Sequence, residues 1–222
     1  MSQQDVLIPK MKRIDKKQNK IRLPFLNLLL VLCALLLIVS STFIGFDLKH
    51  YIIPVSFWSD KNLNPDEFVK SFYMIPQIPV IMFVCSVLEK KMAVLSVALY
   101  LILGIFFFPF FALGGGIHYF SEYSFGYLLS YLPAALIATS FLNKKRSFFN
   151  MFLAALCGVL VIHVCGFLYM LIIALFKHDG IPFISGWITY QSGIKIVYDF
   201  ILSYVLILIG KYIYFMIRFL AE

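Results

Sequence analysis

Residues able to do chemistry are few in this 222-residue chain, and most of them stand in apolar surroundings. The stretch from Phe107 to Tyr131, FFPFFALGGGIHYFSEYSFGYLLSY, sets three consecutive glycines, His118, Glu122 and several serines between two apolar runs. Backbone without side chains fills hydrocarbon poorly, but it approaches a ligand closely and offers bare N–H and C=O groups. His163 stands mid-way along another apolar run, where an ionisable group is expensive. It marks either a functional site or a neutral imidazole hydrogen-bonded between helices. Lys195 opens the last apolar run, with Asp199 four residues on. A cation there needs an anion or an escape: a ligand carboxylate, an i,i+4 pair with Asp199, or a route for the ammonium back to the interface.

That is chemistry of recognition. HExxH, GxSxG, P-loop and dinucleotide fingerprints are all missing, so the chain cannot by itself hydrolyse a nucleotide. The four histidines fall on different segments, and Cys33, Cys85, Cys157 and Cys165 contain no CxxC pair and read as small packing residues. An integral membrane enzyme keeps one foothold, in His118, Glu122 and Asp179, which would have to converge from loops.

The elements that position these residues are set by composition. Hydrophobic residues make up 62% of the chain, aromatic residues 18% and charged residues 14%, and the mean hydropathy is +0.91. So much apolar surface cannot be hidden in a water-soluble core of this size, so the chain belongs in a membrane. A spanning helix needs about 20 mostly apolar residues, and runs at 23–46, 73–88, 92–111, 126–142, 149–176 and 196–220 offer six. These runs are apolar on all sides and lack the two-residue alternation of a barrel strand. The expected fold is an all-α integral membrane bundle of six transmembrane helices, with 23–222 as one membrane domain behind a basic tail, 1–22. Full length and the lack of a small-x-small cleavage site make the first run a retained anchor helix.

Fourteen of the nineteen Lys and Arg residues fall on alternate connections: seven before Leu23, then Lys90-Lys91, Lys144-Lys145-Arg146, Lys211 and Arg218. The positive-inside rule places both termini in the cytoplasm of a multi-pass cell-membrane protein. The net charge of +8 then reads as topology and contact with anionic lipid, not as nucleic-acid binding. Segments 47–72, 112–125 and 177–186 face the other side. Within the first of these, NPDEF suggests a short helix with Asn64 capping and Pro65 at its first position.

From Pro76 onward the order and spacing of several short motifs resemble the BioY-type, biotin-binding S components of energy-coupling-factor (ECF) transporters. They are Gln77, the run LSVALYLILG from Leu95 to Gly104, Pro109 to Ala112, the triplet Gly114-Gly115-Gly116, the opening Gly126-Tyr127-Leu128, Gly158 and Gly166 on a later helix, and the PFISGW stretch. A D-x-x-K pair of that family has no direct counterpart: its positions fall on Trp187 and Tyr190, or, aligned on Lys195, on Ser192 and Lys195. The resemblance implies a helical S-component fold, no enzymatic activity and no cofactor. It also implies biotin as the transported ligand, and partnership with a transmembrane coupling subunit and two ATP-hydrolysing subunits. Biotin has a ureido ring with two N–H donors and one acceptor, an apolar thiolane and a tail ending in a carboxylate. The residues expected to meet it are Gln77, Tyr100, Gly114, Gly115, Gly116, Gly126, Tyr127, Gln191, Lys195 and Asp199. Gln77, Gln191 and Asp199 suit the ureido ring, Lys195 the carboxylate, and Tyr100, Phe111, Tyr119, Tyr123 and Tyr127 the apolar wall. Segment 112–125 would form a glycine-rich lid hinged at Gly126. An S component for riboflavin or thiamine would share the fold and differ only in the pocket, and a non-transporting scaffold would need no pocket.

Overall fold

The computed structural model describes residues 23–51, 68–144 and 146–221. The basic tail and the expected helix start at Asn64 lie outside those residues. Six apolar runs become helices: α1 (Leu23–Thr42), α2 (Gln77–Val87), α3 (Lys90–Phe106), the pair α4 (Phe125–Leu129) and α5 (Tyr131–Lys144), α6 (Phe148–Lys177) and α8 (Lys195–Ala221). A further short helix, α7 (Ile181–Gln191), precedes α8, and Ile117–Ser121 forms a 3₁₀ turn. Four stretches are long and apolar enough to cross a membrane: 25–42, 125–144, 148–177, and 181–220, which joins α7 to α8. The protein is a multi-pass membrane protein.

Two features depart from the expected spans. The chain leaves the first helix at Thr42 and enters a β-ribbon, β1 (Phe46–Tyr51) against β2 (Val69–Met74), antiparallel with Phe46 opposite Met74 and Tyr51 opposite Val69. The helix stops there because the Ser41 and Thr42 hydroxyls turn back onto the Ile38 carbonyl, at 2.6 and 3.2 Å, and Gly45 follows. The second run therefore yields only an 11-residue helix, about 16 Å long at 1.5 Å per residue, which leaves Gln77 recessed below the outer surface. The last run, 196–220, forms the single helix α8, but a helix not expected from the runs, α7, precedes it. The 192–194 turn separates α7 from α8, with the Ser192 and Gly193 amides both bonded to the Ile188 carbonyl. Irregular backbone within a membrane protein is tolerated beside a cavity, and the residues flanking this turn, Gln191 and Lys195, line one.

The connections rich in cations lie together on one side. Arg146, between α5 and α6, donates to the Ser86 carbonyl near the end of α2 and stacks on Tyr214 of α8. Leu30 of α1 shares a groove with Val87 and Leu88. The β-ribbon, the glycine-rich loop and α7 occupy the opposite side, which the charge asymmetry makes external.

Candidate functional site

The largest set of chemistry-bearing side chains converges on one cavity at the external side, with a volume of about 340 Å³, within the size range of small-molecule sites. Aromatic rings form much of its wall: Tyr73, Tyr119, Tyr127, Tyr131, Trp187 and Tyr190. Gln77 forms part of the base, buried and fully engaged. Its amide nitrogen donates to the Tyr100 hydroxyl at 2.6 Å and the Thr42 hydroxyl at 2.9 Å, while its carbonyl accepts from the Tyr131 hydroxyl at 2.9 Å. Both N–H groups are thus used by the protein, and only the second lone pair of Oε1 is left for a ligand donor.

A second polar chain runs down one side. The Tyr127 hydroxyl lies 2.8 Å from Ser192 Oγ, Ser192 Oγ lies 3.0 Å from His163 Nδ1, and His163 Nε2 lies 3.1 Å from Asp199 Oδ2. The break between α7 and α8 makes this possible, because it turns Ser192 towards α6 at the depth of His163. His163 is therefore hydrogen-bonded between helices, and the i,i+4 pair of Lys195 with Asp199 gives way to a hydrogen-bonded Asp199–His163 pair. Lys195 lines the cavity without a hydrogen bond or salt bridge among those residues. Two further buried polar atoms of the wall, Trp187 Nε1 and Ser124 Oγ, make no hydrogen bond of good geometry among the described residues, and each lies near a tyrosine hydroxyl, that of Tyr127 and of Tyr119 respectively. Among the described residues no group of three or more His, Cys, Asp or Glu is placed to hold a metal ion.

The glycine triplet sits above this cavity and shapes it without facing it. The Phe111 and Gly114 backbones pair with each other at 2.7 and 2.9 Å, closing a tight turn. Gly114 and Gly116 adopt φ of 102° and 98°, which a side chain would strain. The Gly116 amide donates to the Gly104 carbonyl at 3.0 Å, and a Cβ on Gly115 would come within 2.5 Å of that same oxygen. The loop is consequently seated on the end of α3, with Ala112 and Leu113 at its tip presented to the cavity. A row of edge-on aromatic contacts, Tyr100 to Phe111 to Tyr119 to Phe125, with centroids 5.1 to 5.9 Å apart, braces it from beneath.

The BioY family profile matches residues 67–219 of the sequence. The chain belongs to the BioY family. A solved structure described as the S-component for biotin from an ECF-type ABC transporter superposes with a TM-score of 0.62 at 18% identity, covering 86% of this chain and 92% of that one. The likeness establishes an S-component fold. A comparison of the sequence with curated proteins finds no match.

Of the residues singled out in this BioY chain, Gln77, Tyr127, Gln191 and Lys195 line the cavity. Tyr100 and Asp199 do not: both are fully buried one layer back, behind Gln77 and His163 respectively. Gly114, Gly115 and Gly116 shape the loop and likewise stay out of the lining. Gly126 lies inside α4 and is a packing residue in place of the expected hinge, since a Cβ there would stand 2.2 Å from Tyr169 Cβ. Its counterpart on α6, Gly166, receives the Tyr127 ring in the same way, so small residues bring α4 and α6 into close contact. Tyr123 and Phe111 are not wall residues either. Tyr123 instead donates to Asp179 Oδ2 at 2.7 Å, which holds its phenol up at about 12. Tyr73, Ser124, Tyr131, His163, Trp187 and Tyr190 line the cavity without having been expected to meet the ligand. Tyr131 carried one signal, a polar-tipped aromatic five residues after Gly126. Both alternatives for the missing D-x-x-K pair, Trp187 with Tyr190 and Ser192 with Lys195, lead to the walls of this cavity or to the polar chain behind it.

Proposed function

We propose that this chain captures biotin at its external face and, as the membrane-embedded S component of an ECF transporter, delivers it to the cytoplasm. Membership of the BioY family and the S-component fold support the class. The observation that carries the ligand is the Lys195 ammonium, without a hydrogen bond or salt bridge among the described residues, in an aromatic-walled cavity of about 340 Å³. A cation in an apolar setting favours a solute bringing its own carboxylate. The Trp187 indole N–H and Ser124 hydroxyl, which make no hydrogen bond of good geometry among the described residues, suit the ureido carbonyl, the second lone pair of Gln77 Oε1 suits a ureido N–H, and the rings suit the thiolane.

Leu113, held over the mouth by the glycine turn, limits exchange with the outside. The chain binds and releases without making bonds, so it needs no catalytic residue and no cofactor. Lacking a P-loop, it takes its driving force from a transmembrane coupling subunit and ATP-hydrolysing subunits in the cell membrane. Equilibrium binding of biotin to the detergent-purified protein, with riboflavin and thiamine as competitors, tests the reading. Nanomolar binding, about −12 kcal/mol, resistant to both competitors is the expected result. Displacement by riboflavin or thiamine, or no biotin binding by folded protein, would move the assignment to another vitamin.

A further inference from the structure

A second cavity, about 400 Å³, opens on the cytoplasmic side between the α5–α6 connection and the end of α8, with Lys144, Arg146, Arg218 and Tyr214 in its wall. Two guanidinium groups are gathered around one ring. Arg146 stacks on Tyr214 with Cζ 3.4 Å from the centroid, and Arg218 lies 5.6 Å from the same centroid while its Nη1 donates to the Tyr214 hydroxyl at 2.9 Å. Arg146 is also tied to the Ser86 carbonyl. These contacts fix the positions of both cations without neutralising either. Glu89 shares the wall, yet neither arginine makes a salt bridge with a carboxylate among the described residues. Burial, and to a lesser extent the charge of Arg218, hold the Arg146 guanidinium below its ordinary value, as expected where cations crowd and no anion is supplied.

The surface beside this cavity is apolar: Phe215, Phe219, Phe148 and Phe149 are 53%, 80%, 61% and 69% exposed. Side chains of that kind at the end of a spanning helix face lipid. A ligand that satisfies both halves of the site has an anionic head and an apolar body. We propose that this cavity binds the phosphodiester headgroup of an anionic phospholipid of the cytoplasmic leaflet, with Arg146 and Arg218 on the phosphate and the acyl chains along Phe215 and Phe219. Planar forks of N–H donors are well matched to phosphate oxygens, and basic pockets on the cytoplasmic side of helical bundles take such headgroups. The inference does not depend on which solute occupies the external cavity.

The test is thermal unfolding of the full-length protein in detergent, titrated with phosphatidylglycerol, phosphatidylcholine or inorganic phosphate. Native mass spectrometry would count bound lipids in parallel. Phosphatidylglycerol should stabilise the wild type saturably where the other two do not. Affinity should fall about 5-fold for each arginine removed, in Arg218→Gln and again in Arg146→Gln/Arg218→Gln. Because Arg146 also holds the Ser86 carbonyl, the single Arg218→Gln protein carries the decision if the double variant fails to fold. Equal stabilisation by phosphatidylcholine, an unchanged response in Arg218→Gln, or an equal loss in a Lys12→Gln/Lys16→Gln tail variant would overturn the site. Inorganic phosphate reproducing the whole shift would overturn the lipid as its source.

Discussion

Replacing Lys195 by Met keeps the apolar stem that packs in the cavity wall and removes only the ammonium. If that ammonium meets the ligand carboxylate, the substitution removes one hydrogen bond to a charged group, worth about 1.5–3 kcal/mol. At 1.4 kcal/mol per decade that weakens biotin binding roughly 10- to 100-fold. The upper part of the range is expected, because Asp199 is already paired with His163 and no second Lys or Arg lines the cavity among the described residues. Isothermal titration calorimetry should be run on wild type and Lys195→Met with both biotin and its neutral carboxamide. The substitution should weaken the acid strongly and leave the carboxamide within about 3-fold, since a neutral amide forms at best an ordinary hydrogen bond worth about 1 kcal/mol or less. Equal losses for the two ligands would show that the substitution acts on cavity shape. No loss for either would place the carboxylate elsewhere. Both outcomes refute the assigned role.

Other expectations follow from the same geometry. Gln77→Leu removes three hydrogen bonds at about 1 kcal/mol each, so stability should fall by about 3 kcal/mol in reversible unfolding, with biotin affinity reduced as well. Gly166→Ala pushes a Cβ to within 2.5 Å of the Tyr127 ring; overpacking of about 1–3 kcal/mol should lower the unfolding midpoint, while Cys165→Ala, at a lipid-facing position beside it, should not. For Tyr123 the raised phenol means that the bond to Asp179 contributes stability fully below about 10 and loses it as pH climbs through about 12. Wild type should therefore be more stable than Tyr123→Phe near pH 8, and the difference measured by intrinsic-fluorescence unfolding should vanish near pH 12.

The helices were legible because hydrophobic run length is a strong, local signal. The limits appear where tertiary contacts decide. Residues 46–51 and 69–74 pair across a separation that no short window reports, so the β-ribbon was absorbed into adjacent loops and spans. In the site, residue type pointed correctly to a locus but not to layers: Gln77 and Lys195 reach the cavity while Tyr100 and Asp199 stand one shell behind, and only the rotation of α3 and α8 separates these cases. The glycine triplet invited a reading of backbone offered to a ligand. Its turn instead spends those groups on Phe111 and Gly104, and the residue it offers to the cavity is Leu113. Tyr131 was missed because an aromatic in a membrane span has no distinguishing sign until its hydroxyl is seen on Gln77.

The central claim is met most directly by a structure of the protein determined with saturating biotin. Biotin in the external cavity, its carboxylate at Lys195 and its ureido ring among Gln77, Trp187 and Ser124, is the predicted result. A cavity left empty while biotin binds elsewhere, or a ligand whose carboxylate points away from Lys195, would contradict it.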